Sequence, residues 1–156
     1  MNKIRRKSLR LPDYDYSQRG AYFVTICCRD KQKIFRNERY ADTAWDYIRK
    51  YFQIESGDIT VAVLLHDHLH LMIEFNEGNK ITLGERVKQI KIGIWLAIRG
   101  VGFNGKRMWQ KNYYEHIIRH ERDWIEKVNY MQKNPITKGL INETGKWKYL
   151  WFIGMD

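Results

Sequence analysis

Two histidines separated by one residue are the first groups in this sequence that could do chemistry. His68 and His70 lie in an apolar stretch, residues 61–75, that is typical of a β-strand. Side chains at positions i and i+2 of a strand point to the same face, so the two imidazoles are expected to project side by side. Neutral imidazole is a common ligand of divalent metals, and two adjacent rings can chelate one ion. The alternative is a pair of partly buried histidines with ordinary hydrogen bonds, because this stretch supplies no further ligands.

A third histidine, His66, continues the alternation but falls where the chain is expected to turn. The composition predicts two strands, residues 59–65 and 68–75, joined by a tight turn near His66 and Asp67. A residue in a turn need not share the face of the strand that follows it. His66 is therefore a weaker ligand candidate than His68 and His70.

A tyrosine and an asparagine one helical turn apart form the second candidate group. A helix is predicted from about Glu121 to about Asn134, because Pro135 disfavours helical geometry in the residue before it. Its apolar side is formed by Trp124, Ile125, Val128 and Met131. Tyr130 falls nearly opposite this side, and Asn134 projects from the same side as Tyr130, about 6 Å further along the axis. A phenol and an amide oxygen would thus be presented together. The alternative is a surface tyrosine that precedes a helix-terminating Asn-Pro.

The rest of the sequence predicts the scaffold that holds these two groups. The predicted elements are a strand over 21–27, a helix over 38–56, strands over 59–65 and 68–75, a helix that begins with a capping box at Thr82 and Glu85, a strand that ends near Arg119, and the helix over 121–134. This order predicts an α+β fold, a ferredoxin-like antiparallel sheet with its helices on one face and the other face free to bind. We expect one domain over residues 1–156, with a basic N-terminal arm over about residues 1–10.

The composition favours a nucleic-acid partner, although a basic protein with a large aromatic core would look similar. The chain carries 28 Lys and Arg against 18 Asp and Glu, a net charge of +10, and 14% of its residues are aromatic. Cations contact phosphates, and aromatic rings stack on bases. Cys27 and Cys28 are adjacent and form no Cys-x-x-Cys pair, which favours a reducing compartment. No apolar run has the length of a membrane span or the position of a signal peptide, so we expect a cytoplasmic protein without membrane contact.

Segments distributed over nearly the whole chain carry a resemblance to one family. They are 6–16 (RKSLRLPDYDY), 20–27 (GAYFVTIC), 68–70 (HLH), 109–119 (WQKNYYEHIIR) and 129–135 (NYMQKNP). With these segments in this order, the sequence resembles the single-tyrosine HUH transposases of insertion sequences, in particular the branch of REP-associated tyrosine transposases. One departure is Leu65-His66-Asp67, where the family commonly has Met-Pro-Asn. His66 and Asp67 are therefore further candidates for contact with a metal or with DNA.

The resemblance implies a ferredoxin-like fold whose C-terminal helix carries Tyr130 as a nucleophile. It also implies that His68, His70 and Asn134 hold Mg²⁺ or Mn²⁺, and that the substrate is single-stranded DNA bearing a hairpin. The metal would draw charge from a non-bridging phosphate oxygen while Tyr130 attacks in line. The products would be a 5′-phosphotyrosine and a free 3′-hydroxyl, and attack by a 3′-hydroxyl would rejoin the strands. The acceptor of the tyrosine proton stays open between a metal-bound water, His66 and His116.

DNA contacts are expected from cations and aromatic residues outside the metal site. The expected DNA-binding residues are Arg5, Arg6, Lys7, Arg10, Lys106, Arg107, Trp109, Lys111, Tyr113 and Arg119. Two functions from other classes are alternatives: a non-catalytic module that binds single-stranded nucleic acid, and a metal-dependent phosphodiesterase that uses water in place of Tyr130. A homodimer in which the tyrosine helix serves the partner's site is compatible with the resemblance.

Overall fold

The computed structural model describes Leu11 and residues 13–155, so the predicted arm residues Arg5, Arg6, Lys7 and Arg10 lie outside the described residues. The described chain forms an antiparallel sheet of five strands in the order β4-β1-β3-β2-β5, together with three α-helices. The elements are β1 Gly20–Cys27, α1 Glu38–Ile48, β2 Ile59–Leu64, β3 His68–Phe75, α2 Leu83–Arg99, β4 Tyr114–Ile118, α3 Glu121–Thr137 and β5 Leu150–Phe152. The predicted α+β class is confirmed.

One face of the sheet is covered by α1 and α2. Alternate strand residues such as Val24, Ala62 and Leu71 point to this face and pack against both helices in one buried cluster. The predicted capping box begins α2, because the Thr82 hydroxyl accepts from the Glu85 amide at 3.2 Å and the Glu85 carboxylate accepts from the Thr82 amide at 2.8 Å. The larger part of the apolar core therefore lies on this side.

The third helix lies on the opposite face, where the sequence predicted no helix. Val128 and Met131 of α3 pack on Phe23, Val61 and Met72, which point away from α1 and α2. The prediction that all helices share one face was wrong in this respect, because the central strands are apolar on both faces and each face must be removed from water. The position of α3 places its residues beside the face that carries His70.

The helix α3 continues through Pro135, although the sequence predicted that it would end at Asn134. A proline inside a helix removes one backbone donor and costs about 3 kcal/mol. Here Pro135 is buried, and the next turn is still hydrogen bonded: the amide of Lys138 donates to the carbonyl of Asn134 and that of Leu140 to Pro135, both at 2.9 Å. Burial and these bonds offset the lost donor, so Asn134 keeps a helical backbone.

Within the part of the chain that is described, no helix is long and apolar enough to cross a membrane.

Candidate functional site

The two predicted histidines do project from one face of β3. His70 is buried and His68 half-buried, their ring centroids are 4.6 Å apart, and their Nε2 atoms are 3.1 Å apart. The β1 strand runs antiparallel beside them and sets Thr25 opposite His70 and Cys27 opposite His68. The alternation of strand side chains therefore places the two Nε2 atoms side by side on one face, as the sequence predicted.

The outer nitrogens of the two rings are held by separate groups. Nδ1 of His68 donates to the Asp67 carboxylate at 2.5 Å, and Nδ1 of His70 lies 2.8 Å from the Thr25 hydroxyl. A hydroxyl can donate or accept, so His70 can adopt either tautomer without losing this bond. Such partners orient imidazoles that bind metals. Asp67, a candidate ligand from the sequence, thus lies behind His68 as its hydrogen-bond partner.

Thr25 was missed by the sequence analysis. Its role depends on the register between β1 and β3, and neither strand contains a signal of that register on its own. Only the pairing of Thr25 with His70 makes its hydroxyl a partner of the ring.

The electrostatic surroundings keep His70 uncharged. Burial, followed by the charges of His68 and Lys138, lowers the pKa of His70 to about 3. The ring is therefore neutral at neutral pH, which is the form that can bind a metal.

His66 is not brought to the histidine pair. Its ring lies 5.8 Å from the ring of Trp147, and burial, followed by Arg36 and Lys33, lowers its pKa. The structure therefore does not bring His66 to the pair as a third ligand, and its contact with DNA stays a prediction. The physical reason is the turn between β2 and β3, which takes His66 out of the strand alternation.

Tyr130 lies beside the histidine pair. Its side chain is 48% exposed, its ring centroid is 5.4 Å from that of His70, and it is 6.0 Å from that of Phe23. Val128 and Met131 anchor α3 to the sheet face that carries Phe23, and this docking places the phenol beside Phe23 and His70. The helical periodicity predicted that Tyr130 would lie away from the core, and the structure confirms this.

Asn134 differs from Tyr130 in its surroundings. The residue is only 1% exposed, and its Oδ1 and Nδ2 atoms have no hydrogen-bond partner among the described residues. Because α3 is helical through Thr137, Asn134 keeps its predicted position four residues after Tyr130, but its side chain is buried whereas that of Tyr130 is exposed. A buried amide without partners costs about 1–3 kcal/mol for each unsatisfied group, so this side chain is a strong candidate for a ligand-binding role.

The donor set fits a divalent metal. Two bonds of about 2.1 Å at a right angle would set the ligand nitrogens about 3.0 Å apart, close to the separation of the two Nε2 atoms. No cluster of three His, Cys, Asp or Glu side chains in the described ranges could hold an ion. The protein donors that the structure brings together are the two imidazoles; Asn134, whose buried amide is unpaired, does not line the cleft that contains them.

The histidine pair and Tyr130 open into one cleft of about 610 Å³. Its lining residues are Phe23, Thr25, Cys27, Lys31, Asp67, His68, His70, Tyr114, Lys127, Tyr130 and Lys138. The three lysines were not predicted from the sequence, although Lys127 precedes Tyr130 by three residues and so shares its side of the helix. A basic cleft of this size can accept the backbone of a nucleic-acid strand.

The predicted DNA-binding residues that the structure describes lie outside the cleft. Lys106, Arg107 and Trp109 line a separate depression of about 260 Å³ against α2. The Trp109 indole donates to the carbonyl of Lys91 at 3.0 Å and its ring packs on Phe35, so it has a structural role. Lys111, Tyr113 and Arg119 are likewise absent from the lining of the cleft. The structure does not bring this predicted set to Tyr130.

His116 does not line the cleft, although it pairs with the lining residue Phe23 between β4 and β1. Its Nε2 donates to the Asp123 carboxylate at 2.8 Å. Burial works to raise the pKa of Asp123, but hydrogen bonds from His116 and the Arg119 amide bring it below its usual range. Neither His66 nor His116, the two side chains considered as acceptors of the tyrosine proton, lines the cleft.

Comparison with known proteins identifies the fold. A solved structure titled as a REP-associated tyrosine transposase bound to a REP hairpin matches with a TM-score of 0.67 at 22% identity, over 90% of this chain and 82% of that one. The architecture is thus that of a transposase of this type.

The sequence comparisons find relatives that cover most of this chain. An uncharacterized protein of Haemophilus influenzae is 31% identical over 84% of this chain and 88% of its own length. The REP-associated tyrosine transposase of Escherichia coli K12 is 26% identical over 88% of this chain and 79% of its own length. No protein-family model matches the sequence. The homologues of this chain thus include proteins named as REP-associated tyrosine transposases.

Proposed function

We propose that this protein is a metal-dependent endonuclease and strand transferase that acts on single-stranded DNA bearing a hairpin. The observation that carries the proposal is the distance of 5.4 Å between the rings of Tyr130 and His70, in a cleft that also contains the second imidazole. A nucleophile and a chelating pair are thereby side by side. The transposase relatives, one of them bound to a REP hairpin in its solved structure, support the choice of DNA as substrate.

The residues divide the chemistry between them. Mg²⁺ or Mn²⁺ bound by His68, His70 and Asn134 would supply positive charge to a non-bridging oxygen of the phosphodiester. Tyr130 Oη forms the new bond to phosphorus as the bond from phosphorus to O3′ breaks. The phenol loses one proton and the departing 3′ oxygen gains one, so the reaction is balanced without an external energy source. The strand ends are then a 5′-phosphotyrosine and a free 3′-hydroxyl.

The surroundings of Tyr130 suit this role. A phenol that is 48% exposed can reach a substrate, while the neighbouring His70 is held by Thr25 and by stacking on Phe23 at 5.3 Å. Attack by a bound 3′-hydroxyl on the phosphotyrosine reverses the first step and joins strands. A homodimer is a part of this proposal that follows from the family resemblance, and a cytoplasmic location is a part that follows from the cysteine pattern of the sequence.

The proposal is tested with labelled hairpin-bearing single-stranded DNA, Mn²⁺ and the purified protein. We expect a protein–DNA adduct that survives denaturation, and its loss in Tyr130→Phe and in His68→Ala. Tyr130→Phe removes only the hydroxyl, so its DNA affinity should remain within about twofold of the wild type. Cleavage that persists in Tyr130→Phe would identify water as the nucleophile. If the wild-type protein binds the DNA but does not cleave it, the protein is a nucleic-acid binding module and the proposed reaction is wrong.

A further inference from the structure

Three cations enter the cleft that contains Tyr130, and they differ in how firmly they are held. Lys31 follows β1, Lys127 lies on α3, and Lys138 follows the end of α3. Lys31 and Lys138 are exposed, whereas Lys127 is half-buried. A half-buried lysine has fewer rotamers open to its stem than an exposed one, so it loses less conformational entropy when its ammonium binds a ligand.

Lys127 is held against an aromatic ring at the centre of the site. Its Nζ lies 5.3 Å from the ring centroid of Phe23, which is a distance typical of a cation–π interaction. The same ring stacks on His70 at 5.3 Å and contacts Tyr130 at 6.0 Å. Phe23 is only 4% exposed. One fixed ring therefore positions the ammonium, the nucleophile and an imidazole around the same part of the cleft.

The charge of Lys127 is available to a ligand. Among the described residues, no carboxylate lies within ion-pair distance of it, although its charge helps to lower the pKa of Asp123; Arg122 on the same helix pairs with Glu126 at 3.4 Å. Lys127 also precedes Tyr130 by three residues, so both side chains project from neighbouring positions on α3. An anion that contacts the phenol can therefore contact the ammonium as well.

We propose that Lys127 binds the phosphate that Tyr130 attacks, an inference that rests on the proposed function. The ammonium donates to a non-bridging oxygen and stabilises the charge that gathers there as the Tyr130–phosphorus bond forms. Lys127 keeps its proton throughout, and no bond to it forms or breaks. The two exposed lysines, Lys31 and Lys138, bind neighbouring phosphates of the strand and contribute mainly to affinity.

The test compares Lys127→Met with Lys133→Met, both measured as the single-turnover rate of adduct formation at saturating DNA. Methionine retains an apolar stem over Phe23 and removes the charge. Lys133 is a matched control, because it lies on the same helix, three residues after Tyr130 rather than before it, and does not line the cleft. We expect the rate to fall about 10- to 100-fold in Lys127→Met, as for loss of one charge-assisted hydrogen bond, and to change less than about twofold in Lys133→Met. Lys127→Arg should recover part of the rate.

Affinity for the strand supplies a readout that does not depend on cleavage. In a metal-free buffer, the slope of log Kd against log salt for single-stranded DNA should decrease by about 0.7 in Lys127→Met and stay unchanged in Lys133→Met. Equal rates and equal slopes for the two variants would overturn the role of Lys127 while the wild-type adduct upholds the transposase reaction. Absence of an adduct in the wild type would overturn both.

Discussion

Replacement of Asn134 by leucine should make the metal-free protein more stable and remove its response to metal. Asn134 is 1% exposed, and neither polar atom of its amide has a partner in the described structure. Each unsatisfied buried group costs about 1–3 kcal/mol, and leucine has a similar shape without polar atoms. We therefore expect Asn134→Leu to raise the free energy of unfolding in EDTA by about 1–3 kcal/mol, or the melting temperature by about 2–12 °C for a chain of this length.

The same variant distinguishes a ligand from a packing residue when Mn²⁺ is added. At a concentration 100 times its dissociation constant, a metal that binds only the folded state stabilises the protein by about 2.7 kcal/mol. Urea unfolding should show this gain in the wild type and a much smaller one in Asn134→Leu. Asn129→Leu is the control on the exposed side of α3 and should change stability by less than about 0.5 kcal/mol. Destabilisation by Asn134→Leu in EDTA would refute the inference that the Asn134 amide has no hydrogen-bond partner. An unchanged response to Mn²⁺ would refute the role of Asn134 as a metal ligand.

Three further predictions follow from contacts around the cleft. Thr25→Val removes the partner of His70 Nδ1 and should weaken Mn²⁺ binding about 10- to 100-fold by calorimetry, whereas Thr25→Ser should bind nearly as the wild type does. Lys31 has a positive φ of 54°, so Lys31→Gly should raise the free energy of unfolding in urea by about 1 kcal/mol and should weaken DNA binding. Lys31→Met should weaken DNA binding without stabilising the protein. Equal stability of the two variants would exclude backbone strain at this position. The pKa of Asp123 is lowered in the folded protein, so its contribution to stability is present above the ordinary carboxyl pKa of about 3.9 and is lost as the pH falls through the folded value. Asp123→Asn should therefore lose less stability than the wild type between about pH 5 and pH 2. Parallel acid unfolding curves for the two proteins would show that this carboxyl makes no contribution.

The sequence predicted most accurately what depends on local periodicity. Alternation along β3 correctly set His68 and His70 on one face, and the helical period correctly turned Tyr130 away from the apolar side of α3. The capping box at Thr82 is equally local and was also confirmed. Each of these features needs only the repeat of one element and the polarity of its neighbours.

Features that depend on the meeting of distant segments were not predicted. The bond from Thr25 to His70 requires the register of two strands, and the position of Lys127 over Phe23 requires the docking of α3. The burial of Asn134 was missed for the same reason, since the helix continues through Pro135 and packs there against the sheet. Sequence patterns predict that a helix ends at a proline, but burial in the folded protein can offset the cost of one lost backbone hydrogen bond.

The division of the core between two faces also divides the site. The histidine pair lies on β3, a central strand covered by α1 and α2 on its other side, while Tyr130 lies on α3, which joins the sheet through a much smaller apolar cluster. Segments with few buried contacts open at lower free energy than the central core does. Amide exchange should therefore be faster in α3 than in β3. Detachment of α3 would separate the nucleophile from the imidazoles and stop catalysis in a molecule whose remaining structure is still folded.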